Sequence, residues 1–106
     1  MSDFDNLSLA DQVSYFGPAL GLNDDECEMF FQLVLSAPNL PPLRRLENFF
    51  GIKRSRIKAM FSKFERLEFI TFKNEDTIDF SGLIKALRAI PMEEKRRLFD
   101  AANAGE

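Results

Sequence analysis

Residues 43–57 read Leu43-Arg44-Arg45-Leu46-Glu47-Asn48-Phe49-Phe50-Gly51-Ile52-Lys53-Arg54-Ser55-Arg56-Ile57. Pro41-Pro42 suits a helix start, and Leu43, Leu46, Phe49 and Phe50 line a short helix that Gly51 closes. A few residues later Ile57, Met60, Phe61, Phe64 and Leu67 resume the helical spacing, predicting a longer helix over 53–67. The period then changes. Phe69-Ile70-Thr71-Phe72 and Thr77-Ile78-Asp79-Phe80 are β-branched and aromatic, with the polar Lys73-Asn74-Glu75-Asp76 between them, which predicts a β-hairpin.

On the N-terminal side, residues 1–6 are acidic and read as frayed. Leu9, Val13 and Phe16 recur at helical spacing until Gly17-Pro18 stops the pattern. Asn23 followed by Glu26 has capping-box character and opens a helix with one apolar stripe, Cys27, Phe30, Phe31, Val34 and Leu35, ending near Ala37-Pro38. On the C-terminal side, Leu83, Ile84 and Leu87 mark a helix over 81–90. Pro91 breaks the chain, and residues 92–103 form a last amphipathic helix with Leu98 and Phe99 on its apolar side. The expected order is helix, helix, helix, helix, hairpin, helix, helix, in one domain over 1–106: N-terminal helices in 1–41, a central motif in 42–90 and a C-terminal helix in 91–106.

The chain has 106 residues and a formal net charge of -3, yet its charge is unevenly placed. Residues 1–43 carry -7, residues 44–73 carry +6 and residues 74–106 carry -2. Binding responds to the local field rather than to the sum, so a basic block between acidic segments points to an anionic partner. A solvated helix face is the alternative meaning of such a run.

The basic block falls on the long helix. At 100° per residue, Ile57, Met60, Phe61, Phe64 and Glu68 gather on one side, with Ser55, Ala59, Ser62 and Arg66 opposite. Lys58 and Lys63 flank that outward stripe, and Arg56 lies beside Lys63. Small side chains at the centre of a face with cations at its edges let a helix enter the major groove while its margins meet phosphates. A short helix, a Gly turn, a basic helix and a hairpin together describe a winged helix-turn-helix. The fold class expected is therefore mainly α with a small β-hairpin, a winged helix-turn-helix with extra N- and C-terminal helices. The DNA contacts expected are Arg54, Ser55, Arg56, Lys58, Ser62 and Lys63 on the helix and Lys73 on the wing.

The run Phe50-Gly51-Ile52-Lys53-Arg54-Ser55-Arg56-Ile57, through Phe61, Phe64-Glu65 and Phe69-Ile70, resembles the winged helix-turn-helix of bacterial transcription regulators. Ile78-Asp79-Phe80 with Leu83, Leu87 and Ile90 is most similar to the end of the catabolite-activator type. The resemblance covers about residues 42–90 and implies general DNA binding. It departs from the family at Glu47, where a small residue is usual, at Glu68, where Gly is usual, and at the base-reading positions, here Ser55, Lys58 and Ala59. The 41 residues before the motif leave no room for the cyclic-nucleotide domain of that type, so a stand-alone module is implied.

Other chemistry is restricted by composition. With no His and a single Cys, a His-dependent enzyme and an intrachain disulfide are excluded. No spacing sets a nucleophile beside a base, and there is no Gly-rich phosphate loop, so no enzyme, cofactor or metal is expected. Asp24, Asp25, Glu26 and Glu28 lack the alternating ligands and Gly of a calcium loop. Cys27 reads as inert core, and Lys95-Arg96-Arg97 as a solvated face. Neither an export signal nor a membrane span is present: Met29 to Leu35 is broken by Gln32 and falls short of the roughly 20 residues required, so a cytoplasmic location is expected.

The partners expected are double-stranded DNA and a second copy of the chain. Twelve Phe are generous for one small core, and Phe4, Leu9, Phe16, Phe31 and Phe99 on the terminal helices offer a dimer surface. A protein-interaction module on the same scaffold, an antiactivator or adaptor, is the alternative function. Its basis is the acidic flanks, the surplus Phe and the substituted base-reading positions.

Overall fold

A computed structural model describes residues 6–104. The expectations placed on residues 1–5, Phe4 included, lie outside them. Among the described residues the protein is mainly helical, with one two-stranded antiparallel sheet. The elements are α1 (Leu9–Phe16), a 3-10 turn (Gly17–Leu20), α2 (Asp24–Ser36), α3 (Leu43–Phe50), α4 (Arg54–Arg66), β1 (Thr71–Asn74), β2 (Thr77–Asp79), α5 (Ser81–Ala89) and α6 (Met92–Asn103). The order is the one the sequence predicts. The chain divides into two compact units, Ser36–Leu83 and the segments on either side of it.

In the flanking unit, helix ends are fixed by side chains. The Ser8 hydroxyl accepts the Asp11 amide at the start of α1 (3.1 Å). Asn23 Oδ1 accepts the Glu26 amide and Glu26 Oε1 accepts the Asn23 amide, both at 2.9 Å, so the reciprocal capping box is formed. The apolar face of α2 differs from the expected stripe. Cys27, Met29, Phe30 and Leu33 are buried, Phe31 and Val34 are half-buried, and Leu35 is 61% exposed. The buried face is turned by about 100°, one residue, from the one read off the sequence. α2 has apolar residues around more than half its circumference, so periodicity alone does not say which arc faces inward.

The surplus aromatic residues are mostly used inside this unit. Phe16 is buried, Lys95 lies over its ring at 5.8 Å, and the half-buried Phe99 stacks against Tyr15 at 4.9 Å. Leu9 and Phe31 are half-buried. Of the described side chains expected to form a dimer surface, none is left fully exposed.

In the Ser36–Leu83 unit, α3 runs into α4 through Gly51, Ile52 and Lys53. Gly51 takes a left-handed conformation (φ 65°) and its amide donates to the Glu47 carbonyl at 2.8 Å, which ends α3 and redirects the chain. Leu46, Ile57, Phe61 and Phe64 are buried, as are Phe69, Ile70, Ile78, Phe80 and Leu83. Two positions expected on the apolar side of α4 are not there. Leu67 caps the helix and is 42% exposed, and Glu68 lies beyond it, exposed, at φ 64°. On α3, Leu46 alone is buried, whereas Phe49 is 58% exposed.

The hairpin is shorter than predicted. Phe69 and Ile70 precede it as buried anchors, Lys73 and Asn74 belong to β1, and Glu75-Asp76 make the turn, with the Asp76 amide donating to Asn74 Oδ1 (2.8 Å). Thr71 faces Asp79 and Phe72 faces Ile78, but Asn74 faces Thr77, so Lys73 sits at a bulge. Phe72 meets Phe61 of α4 at 5.9 Å and holds the hairpin to the helix pair. The segment 38–40 adds to the open edge of β2: Ile78 N–H donates to Pro38 C=O (2.9 Å), Leu40 N–H to Asp76 C=O (2.6 Å), and Asn39 pairs with Thr77.

Candidate nucleic-acid interface

The Ser36–Leu83 unit carries a formal charge of +3 and the rest of the chain -6. The division seen along the sequence is therefore also a division between folded units, and the basic one contains the helix pair and the hairpin.

α4 concentrates that charge at an unusual place. Its first turn holds Arg54 and Arg56 behind Lys53 at the N-cap, with no acidic residue and no side-chain cap. A helix N-terminus carries the positive end of the macrodipole, where cations are unfavourable by about 0.3–1 kcal/mol each and anions are favoured. The other unit follows the ordinary rule: α2 opens with Asp24, Asp25 and Glu26, and α6 with Glu93 and Glu94. At the start of α4 cations stand instead where anions are favoured, and Glu47 of α3 offsets Arg54 there.

The residues expected to contact DNA are placed as follows. Ser55, Arg56, Lys58 and Ser62 are exposed on α4, together with Ala59 and Arg66, so the outward stripe read from the helical spacing is formed. Lys63 is half-buried rather than fully on the outer edge. Arg54 is engaged within the protein: its Nε donates to Glu47 Oε1 of α3 at 2.8 Å. Glu47 is one of the positions at which the sequence departs from the pattern it resembles, and it lies seven residues from Arg54, across the Gly51 turn. Lys73 is exposed at the β1 bulge. Arg66 completes the stripe and had been assigned no contact, although its spacing from Ser55, Ala59 and Ser62 marks it.

Arg44 and Arg45 are exposed on α3 and form no side-chain hydrogen bond or ion pair among the described residues. The composition of the basic block contained them, but the motif gave them no role.

Elsewhere the chemistry is sparse. Cys27 is buried, and burial first, then Asp24 and Glu26, raises its thiol to about 11. Among the described residues there is no group of three or more His, Cys, Asp or Glu able to hold a metal ion, and no helix is long and apolar enough to cross a membrane. An open apolar groove in the flanking unit is lined by Ala19, Leu20, Ala86, Ala89, Ile90 and Pro91, with Glu94 at its margin. Comparison with protein-family models, with curated protein sequences and with solved structures finds no match.

Proposed function

We propose that this protein binds double-stranded DNA through a winged helix-turn-helix, with α4 entering the major groove and the hairpin as the wing. The observation that carries this reading is the start of α4, where Lys53, Arg54 and Arg56 gather at the positive end of the helix with no acidic residue in its first turn, Arg54 being paired to Glu47 of α3 in a half-exposed contact. The outward face of α4 offers Ser55, Ala59 and Ser62, small enough for close approach to base edges, with Arg66 in line with them and Lys58 at the edge. The Phe61–Phe72 contact and the pairing of 38–40 with β2 give the hairpin a fixed base, from which Lys73 reaches backbone phosphate. The role is that of a small transcription regulator working without an enzyme activity or a cofactor.

The test is a titration of mixed genomic fragments at several salt concentrations. Replacing Arg56, Lys58 and Lys73 together with Gln removes three exposed cations and should lower the salt slope by up to about three units, roughly one per lost phosphate contact. Affinity and slope equal to the parent protein's, or no binding by the parent at micromolar concentration, would overturn the reading.

A further inference from the structure

Leu35 and Phe49 are the two most exposed large apolar side chains among the described residues, at 61% and 58%. Each lies beside charge of opposite sign. On α2, Asp24, Glu28, Phe31 and Leu35 fall within about 60° of one another around the helix, an outward face that is acidic in its first half and apolar in its second. Asp24, Glu28 and Leu35 are exposed and Phe31 is half-buried. On α3, Arg44, Arg45, Asn48 and Phe49 are all exposed and fall within about 140° of one another around the helix, with the buried Leu46 outside that arc beside Phe49, forming a face that is basic first and aromatic second. Phe50 packs edge-on against Phe49 at 4.9 Å, while Phe49 stays 58% exposed.

We infer that α3 of one molecule docks on α2 of a second copy of this chain. The two faces match in charge and in sequence order, the α3 face being the shorter. In parallel register Glu28 falls beside Arg45, and Phe31 and Leu35, about 4.5 and 10 Å further along α2, bracket Phe49, about 6 Å beyond Arg45. Charge complementarity holds at the level of whole units as well, since α3 belongs to the +3 unit and α2 to the -6 remainder. Arg and aromatic side chains are the types that anchor protein interfaces. Neither Arg44, Arg45 nor Glu28 has a side-chain partner to give up among the described residues. This surface shares α2 and Phe31 with the terminal-helix dimer expected from the Phe count but pairs them with α3 rather than with a second terminal helix, and it does not depend on DNA binding. Both faces are small, so the association is of the weak class, with electrostatics setting its salt dependence.

The experiment is sedimentation of the full chain over a range of concentrations, without nucleic acid, at about 50 mM and about 500 mM salt. The average mass should rise above the monomer with concentration at low salt and rise less at high salt. Arg44→Glu with Arg45→Glu, and separately Asp24→Lys with Glu28→Lys, should each weaken association about tenfold or more, through like charges brought face to face. An equimolar mixture of the two double variants restores opposite charge at both faces and should associate as the parent does. Phe49→Ala should weaken association without changing its salt dependence. A parent protein that stays monomeric throughout, double variants that associate like the parent, or a mixture that fails to recover would each overturn the inference. Recovery in the mixture also shows that both variants are folded.

Discussion

The carbonyl oxygen of Glu68 fills the space that a Cβ on Gly82 would need. Glu68 follows the Leu67 cap of α4 and Gly82 lies in the first turn of α5, where the Leu83 amide donates to the Phe69 carbonyl at 3.0 Å. α5 thus meets the backbone leading into the hairpin with no side chain between them. Gly82→Ala cannot be absorbed by a rotamer change, because the clashing atom is backbone. It should destabilise the fold by about 2–3 kcal/mol, as overpacking of a close contact does, read as a lower midpoint in urea unfolding.

At Glu68 the opposite change is favourable. A non-glycine residue at φ 64° is held in the left-handed region at a cost that only the surrounding structure offsets. Glu68→Gly removes that strain but gives the unfolded chain more freedom, so the net gain should be about 0.5–1 kcal/mol. Thermal unfolding would show the midpoint rising for Glu68→Gly and falling for a β-branched replacement such as Glu68→Val.

The capping box at α2 sets a second test. Asn23→Ala leaves the Glu26 amide without its 2.9 Å acceptor at the start of a helix that buries Cys27, Met29, Phe30 and Leu33. The loss should be about 1 kcal/mol, with Asn23→Ser recovering most of it. Chemical denaturation of the two variants beside the parent decides this; equal midpoints for all three would show that the box adds nothing.

Cys27 gives the protein a pH dependence on the alkaline side. Burial, then Asp24 and Glu26, hold the native thiol protonated up to about 11, against 9.0 for an unperturbed thiol. The unfolded chain therefore releases this proton at lower pH than the native one. The stability tied to the thiol is fully present below about pH 9 and is lost as pH rises through about 11. Urea midpoints measured at pH 8 and at pH 10.5 should separate more for the parent than for Cys27→Ala. The same burial should make the native thiol slow toward thiol reagents at neutral pH.

Legibility in the sequence followed the range of the interactions. Asn23-Glu26 and Gly51 act within four residues, and each of these signals matches a formed cap, whereas the equally local Ser8 cap has no counterpart among the sequence expectations. The α2 face was misjudged because Phe31, Val34 and Leu35 extend the apolar arc, and only packing selects Met29 and Leu33 for the interior. Residues 38–40 have no strand signal of their own; they become extended by pairing with β2 across some 40 residues of chain. Glu68 counted as a departure from the family pattern because Gly is usual there, and the backbone nonetheless takes the conformation glycine favours. Within the candidate interface, the exposure of Ser55, Arg56, Lys58 and Ser62 follows from helical periodicity alone. The engagement of Arg54 does not, since it depends on the angle that Gly51 imposes between two helices.

That engagement leads to the last prediction. Glu47 Oε1 accepts from Arg54 Nε at 2.8 Å, and the two side chains are 30% and 52% exposed. An ion pair this open contributes little to stability, about 0–1 kcal/mol, because water already solvates both partners well. Its effect on an anionic ligand is larger in proportion: a phosphate approaching the first turn of α4 meets the Glu47 carboxylate as well as the guanidinium, and must share or displace it. Glu47→Gln keeps the side-chain volume, removes the charge and releases Arg54. On the proposed DNA-binding reading, the variant should bind duplex DNA more tightly at low salt and with a salt slope steeper by about one unit, while its unfolding midpoint stays close to the parent's. Glu47→Gln combined with Arg54→Gln should return the slope to the parent's value. A slope left unchanged by Glu47→Gln, in a protein that does bind DNA, would remove Arg54 from the contact set and leave Arg56, Lys58 and Lys73 to carry it.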